Sequence, residues 1–175
     1  MVLELQFVRK AYTQVLAHQM KRVLRVVRQY PHDRFDQREP ACGQTARELA
    51  EGCVARLRRI DAIACGDIAP LPPLGPCTRG TILLDLETSY LSAHSALLSL
   101  PAAHWSEVVT TPPGLRYWMQ ARRGELLWLA LREMARHQQH LASHMRCECQ
   151  GDGTDGGARS HAVREAELDL VAAGA

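Results

Sequence analysis

The chain has 175 residues, 46% hydrophobic but only 5% aromatic, and 21 Lys and Arg side chains stand against 19 Asp and Glu for a formal charge of +2. That length suits one compact domain with a real core, and a near-neutral charge without a continuous basic stripe gives no electrostatic footprint for nucleic acid or an anionic membrane. No run approaches the roughly 18 apolar residues of a membrane span, and Glu4, Arg9 and Lys10 stand where a signal peptide would carry its apolar stretch. The expectation is a cytoplasmic protein whose partners include neither nucleic acid nor membrane. Its cysteines, Cys42, Cys53, Cys65, Cys77, Cys147 and Cys149, then read as free thiols in a reducing compartment.

Apolar residues recur from Leu5 through Val8, Tyr12, Val15, Leu16, Met20, Val23 and Val27 in steps of three and four, which predicts a long amphipathic helix. Pro31 stops it. A second helix starts at Thr45, because Thr45 and Glu48 make a capping box; its stripe is Ala46, Leu49, Cys53, Leu57, Ile60 and Ala64, ended by Gly66. Pro70, Pro72, Pro73, Gly75 and Pro76 forbid regular structure until about Thr78. The third helix carries Leu83, Leu86, Tyr90, Ala93, Leu97 and Leu100 and closes at Pro101.

The stretch from Pro101 to Arg122 is the least regular part, and within it Glu107 to Thr111 is ambiguous between strand and loop. The fourth helix runs from about Arg123 to Cys147, with Leu127, Ala130, Met134, His137 and Leu141 on one stripe. Beyond Gln150 a Gly-Asp-rich stretch reads as a flexible linker, followed by a short helical segment from about Ser160 to Val171. Four helices of about 22–26 residues, each ~35 Å long, have the proportions of a bundle. The expected fold class is all-α, an up-and-down four-helix bundle over residues 1–149 with a linker and short helical tail over 150–175.

The fourth helix holds the candidate chemistry. Glu133 and His137, His137 and His140, and His140 and His144 are each three or four residues apart and so share a helix face. Bundle metal sites combine a carboxylate and an imidazole from one helix with a ligand from its neighbour. The alternative is a polar helix edge, with Glu133 and His140 in solvent and His137 half-buried. Cys147-Glu-Cys149 lacks the two-residue spacing of redox and zinc motifs and reads as a helix end.

The segment Arg123-Gly-Glu-Leu-Leu-Trp128-Leu-Ala-Leu-Arg-Glu133-Met-Ala-Arg-His137 resembles the last helix of the DinB family of four-helix bundles, which reads as a Glu-Leu-Leu-Trp run followed by two metal ligands four residues apart. Thr45-Ala-Arg-Glu-Leu-Ala50 is similar to the start of that family's second helix, and Asp33-Arg-Phe-Asp36 with Pro40 to the loop before it. The resemblance implies a divalent metal, zinc or nickel, with Glu133 and His137 as ligands, and a metal-dependent hydrolase or thiol-dependent transferase acting with a small molecule or low-molecular-weight thiol. It also implies a homodimer. The family's third ligand, a second-helix His seven residues after the cap, falls on Gly52, which has no donor atom. Three outcomes stay open: the metal is lost and a non-enzymatic ligand-binding or oligomeric bundle remains, with Gly52 making room; Cys53 turns inward as replacement ligand; or His140 or His144 completes a rearranged site.

Overall fold

The computed structural model describes residues 2–38, 42–67, 69–75, 77–110 and 120–151, with side chains over the same residues except 2–5 and 147–151. Its elements are α1 (Val2–Gln29), a 3-10 turn (His32–Arg34), α2 (Ala46–Cys65), α3 (Arg79–Ser99), a single-turn α4 (Ala102–Trp105), strands β1 (Val108–Thr110) and β2 (Gln120–Arg122), and α5 (Arg123–Gly151). The chain divides into two compact units, Met1–Met145 and Arg146–Ala175. The expected helical segment at 160–171, like the aromatic residues Tyr117 and Trp118, lies outside the described residues.

The four long helices are all-α bundle elements whose predicted stripes form the core. Leu16, Met20, Val23 and Val27 of α1, Leu49, Cys53, Leu57 and Ile60 of α2, Leu86, Ala93 and Leu97 of α3, and Leu127, Met134 and Leu141 of α5 are buried together. The start of α2 is fixed locally: the Glu48 amide donates to Thr45 Oγ1 at 3.0 Å and the Thr45 amide to Glu48 Oε2 at 2.9 Å. Its end is fixed by Gly66, whose φ of 88° is left-handed. The ambiguous stretch at 107–111 contributes β1, which pairs antiparallel with β2, Val109 opposite Ala121. This hairpin leads directly into α5.

Side-chain pairings give the helix directions. Arg9 reaches the Leu100 carbonyl while Arg79 Nε donates to the Val27 carbonyl at 3.0 Å, so α1 and α3 are antiparallel. Tyr12 donates to the Gly124 carbonyl at 3.1 Å and Tyr30 meets His144 at 2.5 Å, so α1 and α5 are parallel. Arg123 reaches Ala64 and Arg56 reaches Glu133, so α2 and α5 are antiparallel. It follows that α2 and α3 are parallel, as the Arg58–Asp85 and Ser92–Asp61 contacts require.

The helices therefore run up, down, down, up, and the strictly alternating up-and-down arrangement expected from the sequence is corrected. Apolar periodicity tells which face is buried and is silent about the direction of a neighbour. Residues 66–78 must return along the bundle between two parallel helices. Thirteen extended residues span ~40 Å, enough to pass the ~30 Å of α2, and Pro70, Pro72 and Pro73 hold the segment open against helix.

Candidate functional site

The proline-rich crossover does more than connect. Its residues Pro70 to Leu74 lie over the groove between α2 and α5 and enclose a cleft of about 810 Å³. Ala55, Ile63, Leu126, Leu129 and Ala130 give apolar walls. Glu51, Arg56, Arg58, Arg59 and Glu133 supply charge, and Gly52 is also in the lining. Arg58 leans out toward Asp85 on α3 at 3.7 Å, and Arg59 donates from Nη1 to the Ala69 carbonyl at 2.8 Å, tying the strap to α2.

Gly52 is in contact with His137. A Cβ at position 52 would stand 2.9 Å from His137 Nδ1 and 3.1 Å from its Cε1, closer than real Cβ contacts allow. Glycine is the residue that lets the imidazole lie against the α2 backbone. His137 is half-buried. Burial first, then the nearby Arg56 cation, push its pKa below the ordinary imidazole value of 6.5, with Glu133 pulling the other way. The ring is consequently neutral at pH 7.

Glu133 is exposed, and its Oε2 lies 2.9 Å from Arg56 Nε. The two charges are close without being aligned, for the Arg56 Nε–H is buried and donates no hydrogen bond. The other candidates stand elsewhere. Cys53 is 0% exposed in the core, and burial pushes its thiol up to about 12, which keeps it protonated. His140 is exposed on the polar edge of α5.

His144 is 3% exposed and belongs to a different part of the bundle. Its Nε2 lies 3.0 Å from the Gln44 carbonyl and its Nδ1 2.5 Å from Tyr30 Oη. Because a carbonyl only accepts, Nε2 carries the proton, and in the neutral ring Nδ1 accepts from the Tyr30 hydroxyl. This chain joins α5, α1 and the loop before α2, which is a packing role.

A divalent ion does not fit the donors this arrangement brings together. The family's third-ligand position is a glycine already covered by an imidazole, and a guanidinium lies against the carboxylate where a metal cation would be needed. Among the described residues no three His, Cys, Asp or Glu side chains are grouped to hold an ion. Glu133 and His140 are exposed on α5, and His137 between them is half-buried. The residue that sequence reasoning missed is Arg56. Its signal was faint: three arginines, Arg56, Arg58 and Arg59, around the core residue Leu57, with the partner of Arg56, Glu133, remote in sequence.

No family model matches the chain, and no curated protein matches it. Among solved structures the chain is similar to the crystal structure of a histidine-to-alanine mutant of the mycothiol-dependent maleylpyruvate isomerase, with a TM-score of 0.56 and 15% identity. The likeness covers 76% of this chain and 60% of that one, so the chain spans about three fifths of the isomerase's length. At that identity the likeness shows the fold. The four long helices are arranged as a DinB-like four-helix bundle, the fold of that thiol-dependent isomerase.

Proposed function

We propose that the chain is a DinB-like small-molecule-binding protein whose ligand occupies the cleft between α2, α5 and the proline-rich strap, with the Arg56 guanidinium in the place of a metal cation. One observation carries this reading: Gly52, where the resemblance calls for the third ligand, is filled by the His137 ring, while Arg56 supplies the positive charge beside Glu133. An 810 Å³ cleft with apolar walls and a few charged groups has the size and character of small-molecule sites.

A second reading is a thiol-dependent metalloenzyme of the isomerase's kind, taking a low-molecular-weight thiol, with Glu133 and His137 as the retained zinc or nickel ligands. It is favoured by those two side chains standing one turn apart on α5, Glu133 in the lining of the cleft, and by a neutral His137, the form that binds metal.

Metal titration separates the two. The expected result is no stoichiometric zinc or nickel in purified protein and no rise in melting temperature on adding either ion. One equivalent bound tightly, and lost in both E133Q and H137A, would establish the metalloenzyme reading instead. The resemblance also proposes a homodimer.

A further inference from the structure

The cleft has a directional chemistry that small-molecule binding alone does not require. Arg56 and Arg59 are one turn apart on α2, and both line it. Glu133, which is exposed, is in ion-pair contact with Arg56 at Nε. Arg56 makes no hydrogen bond among the described residues, and its Nε–H is buried. Burial penalises the charge of Arg59, and Arg56 beside it adds to that penalty, although Asp67 offsets part of it. Two guanidiniums thus line a cleft that also has the carboxylates of Glu51 and Glu133 and the apolar side chains of Pro72, Pro73, Leu126 and Leu129 in its lining. Guanidinium presents paired donors in a rigid fork that matches a carboxylate.

From this geometry we infer that the cleft recognises an amphipathic carboxylate, its anionic head on Arg56 and Arg59 and its apolar body between the proline-rich strap and the leucines of α5. The inference rests on the cleft being the ligand site. Two features set the expected pose. The buried Nε–H of Arg56 gains an acceptor when the head group arrives, which removes an unsatisfied donor. The strap is held to α2 through Arg59 and the Ala69 carbonyl, so a head group on Arg59 competes with or reinforces that tie and couples ligand entry to the strap.

The test is calorimetric titration of the whole chain with octanoate and, separately, with 1-octanol, which has the same apolar tail and no charge. Octanoate should bind at least about tenfold more tightly than octanol, and the preference should shrink to within about twofold in R56Q and weaken in R59Q. Two variants that fill the cleft, A55W and L129W, report whether the cleft is where either ligand goes, and their melting curves show that they fold. Equal binding of octanoate and octanol, abolished by the filling variants, overturns the carboxylate inference and leaves the small-molecule site standing. Absence of binding, or binding that neither filling variant reduces, overturns both.

Discussion

A methyl group at position 52 would meet the His137 ring, so the balance at this residue is between two terms of similar size. Mid-helix Gly to Ala ordinarily gains about 1 kcal/mol, whereas forcing an extra carbon into a filled space costs about 1–3 kcal/mol. At 2.9 Å from Nδ1 the steric term wins. Gly52→Ala should therefore destabilise the native chain by about 1 kcal/mol and stabilise the H137A variant by about 1 kcal/mol. Urea unfolding of the four proteins closes the double-mutant cycle; the same gain in both backgrounds would mean that ring and glycine do not touch. This was partly legible beforehand. A glycine at a ligand position announces either loss or room, and helical spacing placed His137 on the inward stripe. What no spacing could supply was Arg56, because its partner Glu133 is on another helix and their meeting depends on how α2 and α5 are rotated against each other. The burial of His144 against Tyr30 escaped for the same reason.

At the scale of elements, Arg123 joins three of them. Its side chain is buried, with Nη2 donating to Glu107 Oε2 at 2.7 Å and Nη1 to the Ala64 carbonyl at 3.3 Å. One guanidinium thereby satisfies a carbonyl in the last turn of α2, where the helix dipole favours a cation, and ties β1 and α5 to it. Arg123→Ala should cost about 1–3 kcal/mol, since it strands the buried Ala64 carbonyl and removes the bond to the partly exposed Glu107 carboxylate. Arg123→Lys should recover less than half, because an ammonium cannot make the same forked contact. A loss in R123A within the scatter of surface substitutions would deny the clamp. The helices themselves were legible from local chemistry, most clearly α2, where the capping box and the αL glycine are written within a few residues of each end. Their directions were not, and connection length does not give them: residues 30–45 join the antiparallel α1 and α2, residues 66–78 join the parallel α2 and α3, and both exceed the usual 2–8 residues of a helix–helix connection. The same prolines that forbid helix there make the roof of the cleft, so a segment legible only as irregular is the one that shapes the site.

For the whole molecule, the apolar residues left outside the core bear on assembly. Leu84, Leu91 and Leu98 of α3 are 62%, 64% and 50% exposed, and their seven-residue spacing keeps them on one face with a drift of only about 20° per heptad. The inward residues Leu86, Ala93 and Leu97 are buried, so α3 is apolar on two sides, and only one of them is covered within the bundle. No helix among the described residues is long and apolar enough to cross a membrane, and the charge of +2 offers no long-range attraction to an anionic surface. A second copy is the occupant that suits the pattern. Two α3 helices related by a two-fold axis and running antiparallel would set Leu91 against Leu91 at the axis and Leu84 against Leu98 on either side. Burial of these half-exposed leucines favours the contact and is opposed by the cost of association, so the dimer is sensitive to concentration. Light scattering across a dilution series should accordingly show mass rising from 19.5 kDa toward twice that value. In L91E, which places two carboxylates on the axis, the mass should stay at the monomer value at every concentration. A wild-type chain that remains monomeric when concentrated, or an L91E variant that dimerises as readily as the wild type, would remove α3 as the assembly face.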